Sequence, residues 1–261
     1  MRPGFIVSLP LRFWILTATV TAVSLGLRFS SDTESHFFVD VGAISAYLSA
    51  VGALYSILAA FTVYVVWNQF NELDEAIEAE VEDLFDLYRY TVYLRDDQAL
   101  AEVGKAIQRY CQYVVEQEWH GMATGKIHEL STATFEDIFA VVHSVRFDDE
   151  RDIAAWSEMI RKFEAVSDAR RKRLRVGAAR VPDLLRALLY LVSGGLIVGF
   201  FMPAIENTLL SIGVTAIVSA IVFLTIEVVE DLDDPFGGHW ALSPRAFDLL
   251  PIAIEAIQAR Q

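Results

Sequence analysis

The distribution of charge constrains this chain more than any other feature. Charged residues make up 21% of its 261 residues, yet four long stretches contain none. Phe13 to Leu27 is uncharged, Val41 to Asn71 is uncharged throughout, and Ala187 to Ile205 and Asn207 to Ile226 are separated by Glu206 alone. A helix needs about 20 mostly apolar residues to cross a hydrocarbon core of about 30 Å. Three of the stretches reach or approach that length, and the fourth does so if extended back through Arg12 to Pro10. Together with 54% apolar residues and a mean hydropathy of +0.38, this pattern predicts an all-α integral membrane protein. The expected spans are residues 10–27, 41–67, 187–205 and 207–226. The last two read as a tight hairpin with Pro203 and Asn207 near its turn.

The first stretch supports two readings. Arg2 and Arg12 precede a short apolar core, as in a secretory signal. No small-residue cleavage site follows before Arg28, which favours a retained span. Orientation follows from basic residues near span ends. The loop 28–40 holds only Arg28 and the loop around Glu206 holds none, whereas Arg170, Arg171, Lys172, Arg173, Arg175, Arg180 and Arg186 crowd the approach to the third span. Both termini and the middle region are therefore expected on the cytoplasmic side. The basic run itself reads as ordinary positive-inside anchoring with snorkelling side-chain stems.

Most of the charge lies in residues 68–183, which read as a helical cytoplasmic region between the second and third spans; 227–261 form a cytoplasmic C-terminal segment. Leu73, Ile77, Val81, Leu84, Phe85 and Tyr88 recur at helical spacing, with Glu75, Glu78, Glu82 and Asp86 opposite. No Pro or Gly separates this stripe from the second span, so one long helix is expected to leave the membrane. Further stripes run through Leu100–Val114, Phe135–Val142 and Ile153–Phe163. Gly121 and Gly125 are expected to break the chain after Trp119, Asp148 or Asp149 to cap the fourth helix, and Pro182 to open the third span. No strand alternation of useful length is present.

Composition and motifs exclude several function classes. A formal charge of −14 argues against nucleic acid, which demands a basic face. A single cysteine, Cys111, excludes a disulfide framework or a cysteine-rich metal centre. The histidines do not share ligand spacing, although His120 and His128 flank a loop with Glu118 and Glu129. The acidic residues Glu230, Asp231, Asp233 and Asp234 lack the order of a calcium-binding loop and read as a solvated helix end. No nucleophile–base, phosphate-loop or zinc-protease motif appears, so no enzyme, catalytic residue, metal or cofactor is expected. The span interiors carry no ionisable group, which argues against a proton-coupled carrier. A passive pore remains compatible with them. Ser49, Ala53, Ile57 and Phe61 lie on one face of the second span at four-residue steps. They fit either a pore lining or close helix packing through small side chains.

Several segments also resemble a known family. Phe61-Thr-Val-Tyr-Val-Val-Trp67-Asn68-Gln69-Phe70 is similar to the segment ending the second span of bestrophin anion channels. Asp234-Pro235-Phe236-Gly237 is similar to the Asn-Pro-Phe-Gly that follows their last span. Glu80, Tyr110, Glu118-Trp119, Arg170-x-x-Arg173 and Pro182 complete a pattern resembling the bestrophin-like family of mostly bacterial membrane proteins. The resemblance implies four spans, cytoplasmic termini, a bacterial inner membrane and a homo-oligomer, a pentamer if bestrophins are the guide. It also implies an axial pore for inorganic anions such as chloride. Counted back from Trp67-Asn68, the bestrophin neck falls on Ser49, Ala53 and Ile57, where bestrophins are bulkier; Phe61 is a further candidate. The acidic run that follows Pro-Phe-Gly in bestrophins is replaced by Gly238-His239-Trp240, so calcium gating at that place is not expected. The alternative is a non-conducting, membrane-anchored sensing or scaffolding protein.

Overall fold

The structure is a computed structural model describing residues 11–30, 41–94, 96–126, 132–145, 150–201 and 208–259. The described residues are overwhelmingly helical and contain no strand. In chain order the helices are α1 (Leu11–Ser30), α2 (Val41–Val92), α3 (Asp97–Tyr113), a π-helical turn (Val114–Glu118), α4 (Trp119–Ala123), α5 (Ala133–Ser144), α6 (Glu150–Ala178), α7 (Asp183–Phe201), α8 (Thr208–Asp233) and α9 (Arg245–Gln258). The residues fall into two compact units. Among the described residues, one is formed within 1–67 and 180–233, the other within 68–179 and 234–261.

In the first unit, three described helices are long and apolar enough to cross a membrane: α2 and, as Asp183–Phe200 and Leu209–Asp233, α7 and α8. α1 carries a shorter apolar stretch, Trp14–Val23, and packs along α8. Glycines on α7 make room for side chains of α2. The Tyr47 hydroxyl donates to the Gly195 carbonyl at 3.0 Å, and a Cβ at Gly199 would stand 2.7 Å from Leu48 and 2.8 Å from Tyr47. At the other end of the α7–α8 pair, Asp233 is buried. It accepts the Val181 backbone N–H at 2.7 Å and pairs with Arg186. Tyr190 donates to Glu230 at 2.5 Å. These contacts correct the reading of the acidic stretch as merely solvated, because Asp233 is the acceptor that ties the start of α7 to the end of α8. Pro203 and Asn207 lie outside the described residues.

The second unit is a helical module around one apolar core. Leu73, Leu84 and Leu87 from α2, Val103 and Ile107 from α3, Ile138 from α5, Met159 from α6 and Phe247 from α9 contribute fully buried side chains. α2 reaches it because nothing in its sequence interrupts the helix after Trp67. Asp96 caps α3, its carboxylate accepting the backbone N–H groups of Gln98 and Ala99 at 2.9 and 3.0 Å, an arrangement that satisfies donors a helix start leaves orphaned. Gly121 does not break the chain: it is buried within α4, where an interior glycine costs only about 1 kcal/mol relative to alanine. The stop comes at Gly125, whose φ of 72° is the left-handed conformation that glycine adopts without strain. Asp148, Asp149 and His128 lie outside the described residues.

Candidate functional site

α2 has two unlike faces within the first unit. Tyr55, Leu58, Thr62 and Val66 are buried against the chain's own helices. Ser49, Ala53, Ile57 and Phe61 are exposed, with Ile57 71% and Phe61 55% accessible. Helical geometry explains the split: at about 100° per residue, each four-residue step drifts by only about 40°, so the four side chains form one shallow stripe. Tyr64 and Trp67, also exposed, continue it. The stripe is uncharged from Ser49 to Asn68.

The second unit contains a different arrangement, a buried cluster of charge. Arg173 of α6 has no solvent exposure. Its guanidinium grips Glu80 of α2 side-on, through Nε to Oε2 at 2.6 Å and Nη2 to Oε1 at 3.1 Å. Nη2 also donates to Glu118 Oε2 at 2.7 Å and reaches the Tyr110 hydroxyl at 3.3 Å. Tyr110 donates to Glu80, and Arg170 donates to the other oxygen of Glu118. Aromatic rings close the cage, Phe247 at 5.4 Å from the Arg173 guanidinium and Phe135 at 5.3 Å from that of Arg170, both within cation–π range.

The charges balance, two guanidiniums against two carboxylates, and that balance lets the cluster sit in an apolar core. Burial opposes the charge on Arg173, but Glu80, Tyr110 and Glu118 outweigh it and hold the guanidinium protonated more firmly than usual. Arg170 behaves likewise, burial being outweighed by Tyr110 and Glu118. Burial first, and then the Glu80 carboxylate, push the Tyr110 phenol well above its ordinary value, so its proton stays in place to be donated.

The π turn explains how one helical segment supplies both Tyr110 and Glu118. In an α-helix, eight residues leave them about 80° apart. A π turn inserts about one extra residue, which takes up about 100° and returns Glu118 to the side of Tyr110. The turn is closed by the Trp119 backbone N–H, which donates to the Val114 carbonyl five residues back. Beyond it, the Trp119 ring meets Phe236 edge-on at 5.4 Å.

Thus Glu118, Trp119, Arg170, Arg173 and Phe236, widely separated in sequence, converge in one module with Glu80 and Tyr110. Trp67 and Asn68 lie on the α2 stripe instead. Asp234, Pro235 and Gly237 form the turn that carries Phe236, with the Gly237 N–H donating to the Asp234 carbonyl at 3.2 Å. The reading of the basic run as membrane anchoring is corrected for Arg170 and Arg173, which are buried, whereas Arg171, Arg175 and Arg180 are exposed. Arg170 and Arg173 face the core, Lys172 pairs with Glu72 and Glu75, Arg171 with Asp168, and Arg186 with Asp233. A sequence signal for the cluster did exist. Glu80 stands between Leu73 and Leu84 on the buried face of α2, and Arg170 and Arg173 follow Val166 on the buried face of α6. A charge in phase with an apolar stripe demands a buried partner of opposite sign. Among the described residues, no group of His, Cys, Asp and Glu side chains is placed to hold a metal ion.

Comparison with known proteins places this architecture. A bacterial bestrophin homologue from Klebsiella pneumoniae, in two single-substitution variants, has the same fold. TM-scores are 0.72 for both, with 12% and 11% identity. The alignments cover 95% of this chain and 98% and 96% of those chains. No curated protein matches the sequence. The family description that matches residues 9–247 is a Bestrophin-like domain, a span that includes the α2 stripe, the buried cluster and the Asp234–Gly237 turn, and the chain accordingly belongs to the Bestrophin-like family.

Proposed function

We propose that this chain is one subunit of a homo-oligomeric membrane pore that passes inorganic anions such as chloride passively. Four spans, formed by α1, the first part of α2, α7 and α8, would cross a bacterial inner membrane with both termini in the cytoplasm. Ser49, Ala53, Ile57 and Phe61 would form the neck. One observation carries this reading. The chain's own helices leave that stripe of α2 uncovered while burying Tyr55, Leu58, Thr62 and Val66 on the opposite face. An uncharged, uncovered face on a membrane helix is suited to line an axis shared by several copies, where small and apolar side chains gate by narrowing and dewetting. Family membership supports the same assignment. Transport is passive in this reading because the neck offers no titratable group to couple it to protons.

The test is chloride flux into liposomes containing the purified protein, with Ile57→Ala and Phe61→Ala alongside. The proposal expects flux above that of protein-free liposomes and a change of severalfold in each variant. A folded, inserted protein with no flux, existing as a monomer or two-fold dimer, would instead support a membrane-anchored sensing or scaffolding role.

A further inference from the structure

The π turn and the turn after the last membrane helix meet at a single residue. Trp119 supplies the backbone N–H that closes the π turn onto the Val114 carbonyl, and its ring is the one that meets Phe236. The Phe236 ring is also approached by Gly177 of α6, where a Cβ would stand 3.1 and 3.2 Å from it. The missing side chain at 177 is what makes room for that ring. Phe236 sits on a tight turn held by the Gly237 N–H on Asp234 at 3.2 Å and the Leu242 N–H on the Pro235 carbonyl at 2.8 Å. It is only partly buried, unlike the charged cluster beyond Trp119.

A π turn is less favourable than the α-helix it interrupts and persists where its surroundings hold it. Two groups hold this one: the arginines bonded to Glu118, and Phe236 against Trp119. We propose that Phe236 is a latch for the register of this helix. Seated against Trp119 and Gly177, it keeps Val114–Glu118 in the π form that delivers Glu118 to Arg170 and Arg173. When the ring withdraws, the turn gains access to an α-helical register in which Glu118 rotates about 100° away from the arginines. The position of the segment after the last membrane helix is thereby coupled to the buried charges of the helical module. The coupling does not depend on whether the protein conducts ions.

Amide hydrogen exchange, read by mass spectrometry on the full-length protein in lipid nanodiscs, tests this. Phe236→Ala removes the latch; Gly177→Val pushes the ring from its seat and leaves Phe236 and Trp119 intact. Both variants are expected to speed exchange at least tenfold in peptides covering 114–119. Peptides covering 84–92 and 100–107 should remain within about twofold of the wild-type rate. Unchanged exchange at 114–119 in folded variants would overturn the proposal and leave Phe236 as a packing residue. Uniform acceleration across the module in both variants would overturn it as well, since it would mean that Phe236 supports the core as a whole.

Discussion

Glu118→Gln removes one charge from a cluster that has two of each sign, with little change in shape. Arg170 and Arg173 would then face Glu80 alone, leaving one buried positive charge uncompensated. Breaking a buried pair by removing one partner typically costs about 3–5 kcal/mol. A pair of unit charges at about 4 Å and an effective dielectric of about 20 is worth a similar ~4 kcal/mol. The lower end, about 3 kcal/mol, fits here because Arg170 is 7% exposed and can turn its guanidinium toward water. For a unit of this size, each kcal/mol moves the midpoint by about 3 °C, so a fall of ~9 °C in Tm is expected. Adding Arg170→Met restores the balance of one guanidinium to one carboxylate, and exchanging a buried pair for uncharged groups is often nearly neutral. The double variant should therefore melt above Glu118→Gln alone. Thermal unfolding followed by tryptophan fluorescence in nanodiscs completes the cycle. A shift under about 3 °C for Glu118→Gln, or a double variant that simply adds the two single losses, would show that the cluster is not an obligate charge balance.

Two further outcomes follow from the packing. Burial, and then the Glu80 and Asp248 carboxylates, push the Cys111 thiol from 9.0 up to about 12. The folded protein therefore holds that proton more tightly than the unfolded chain. The resulting stability is complete below about pH 9 and is lost as pH rises toward 12. Equilibrium unfolding across pH 8–11 should show that decline, and Cys111 should resist alkylation at pH 8 until the protein unfolds. Rapid labelling of the native protein would contradict both. Gly199→Ala places a methyl within 2.8 Å of the rigid Tyr47 ring. It should destabilise the α7–α2 contact by about 1–2 kcal/mol, read as a lower midpoint in the same melting assay; an unchanged midpoint would mean that the contact is loose.

The three helices long and apolar enough to cross a membrane were legible because the absence of charge over 41–71, 187–205 and 207–226 can be read directly from sequence. The unbroken run of α2 into the helical module was legible for an equally local reason, the lack of Pro or Gly after Trp67. The charged cluster was harder. Its members are up to 93 residues apart, and periodicity assigns a charge to a solvent face by default, which turned Arg170 and Arg173 into membrane anchors. Their resemblance to a family pattern marked them as a group, but only the fold shows that the group is a set of mutually neutralising contacts. The π turn left no local trace, because its register is imposed by partners on α6 and beside Phe236. Asp233 illustrates the same limit: nothing around it in sequence reveals that its acceptor is aimed at the Val181 N–H.

Cysteine introduced at Ala53, Ile57 and Phe61 tests whether the uncovered face of α2 borders a water-filled path. The same substitution at Leu58 and Thr62 provides the buried-face comparison. The only native cysteine is buried, so background labelling should be low. Chloride flux is then followed in liposomes before and after a membrane-impermeant thiol reagent. The reagent is expected to block flux at the stripe positions and to have no effect at Leu58 or Thr62. Labelling and block on the Leu58–Thr62 face, with the stripe silent in a conducting protein, would contradict it.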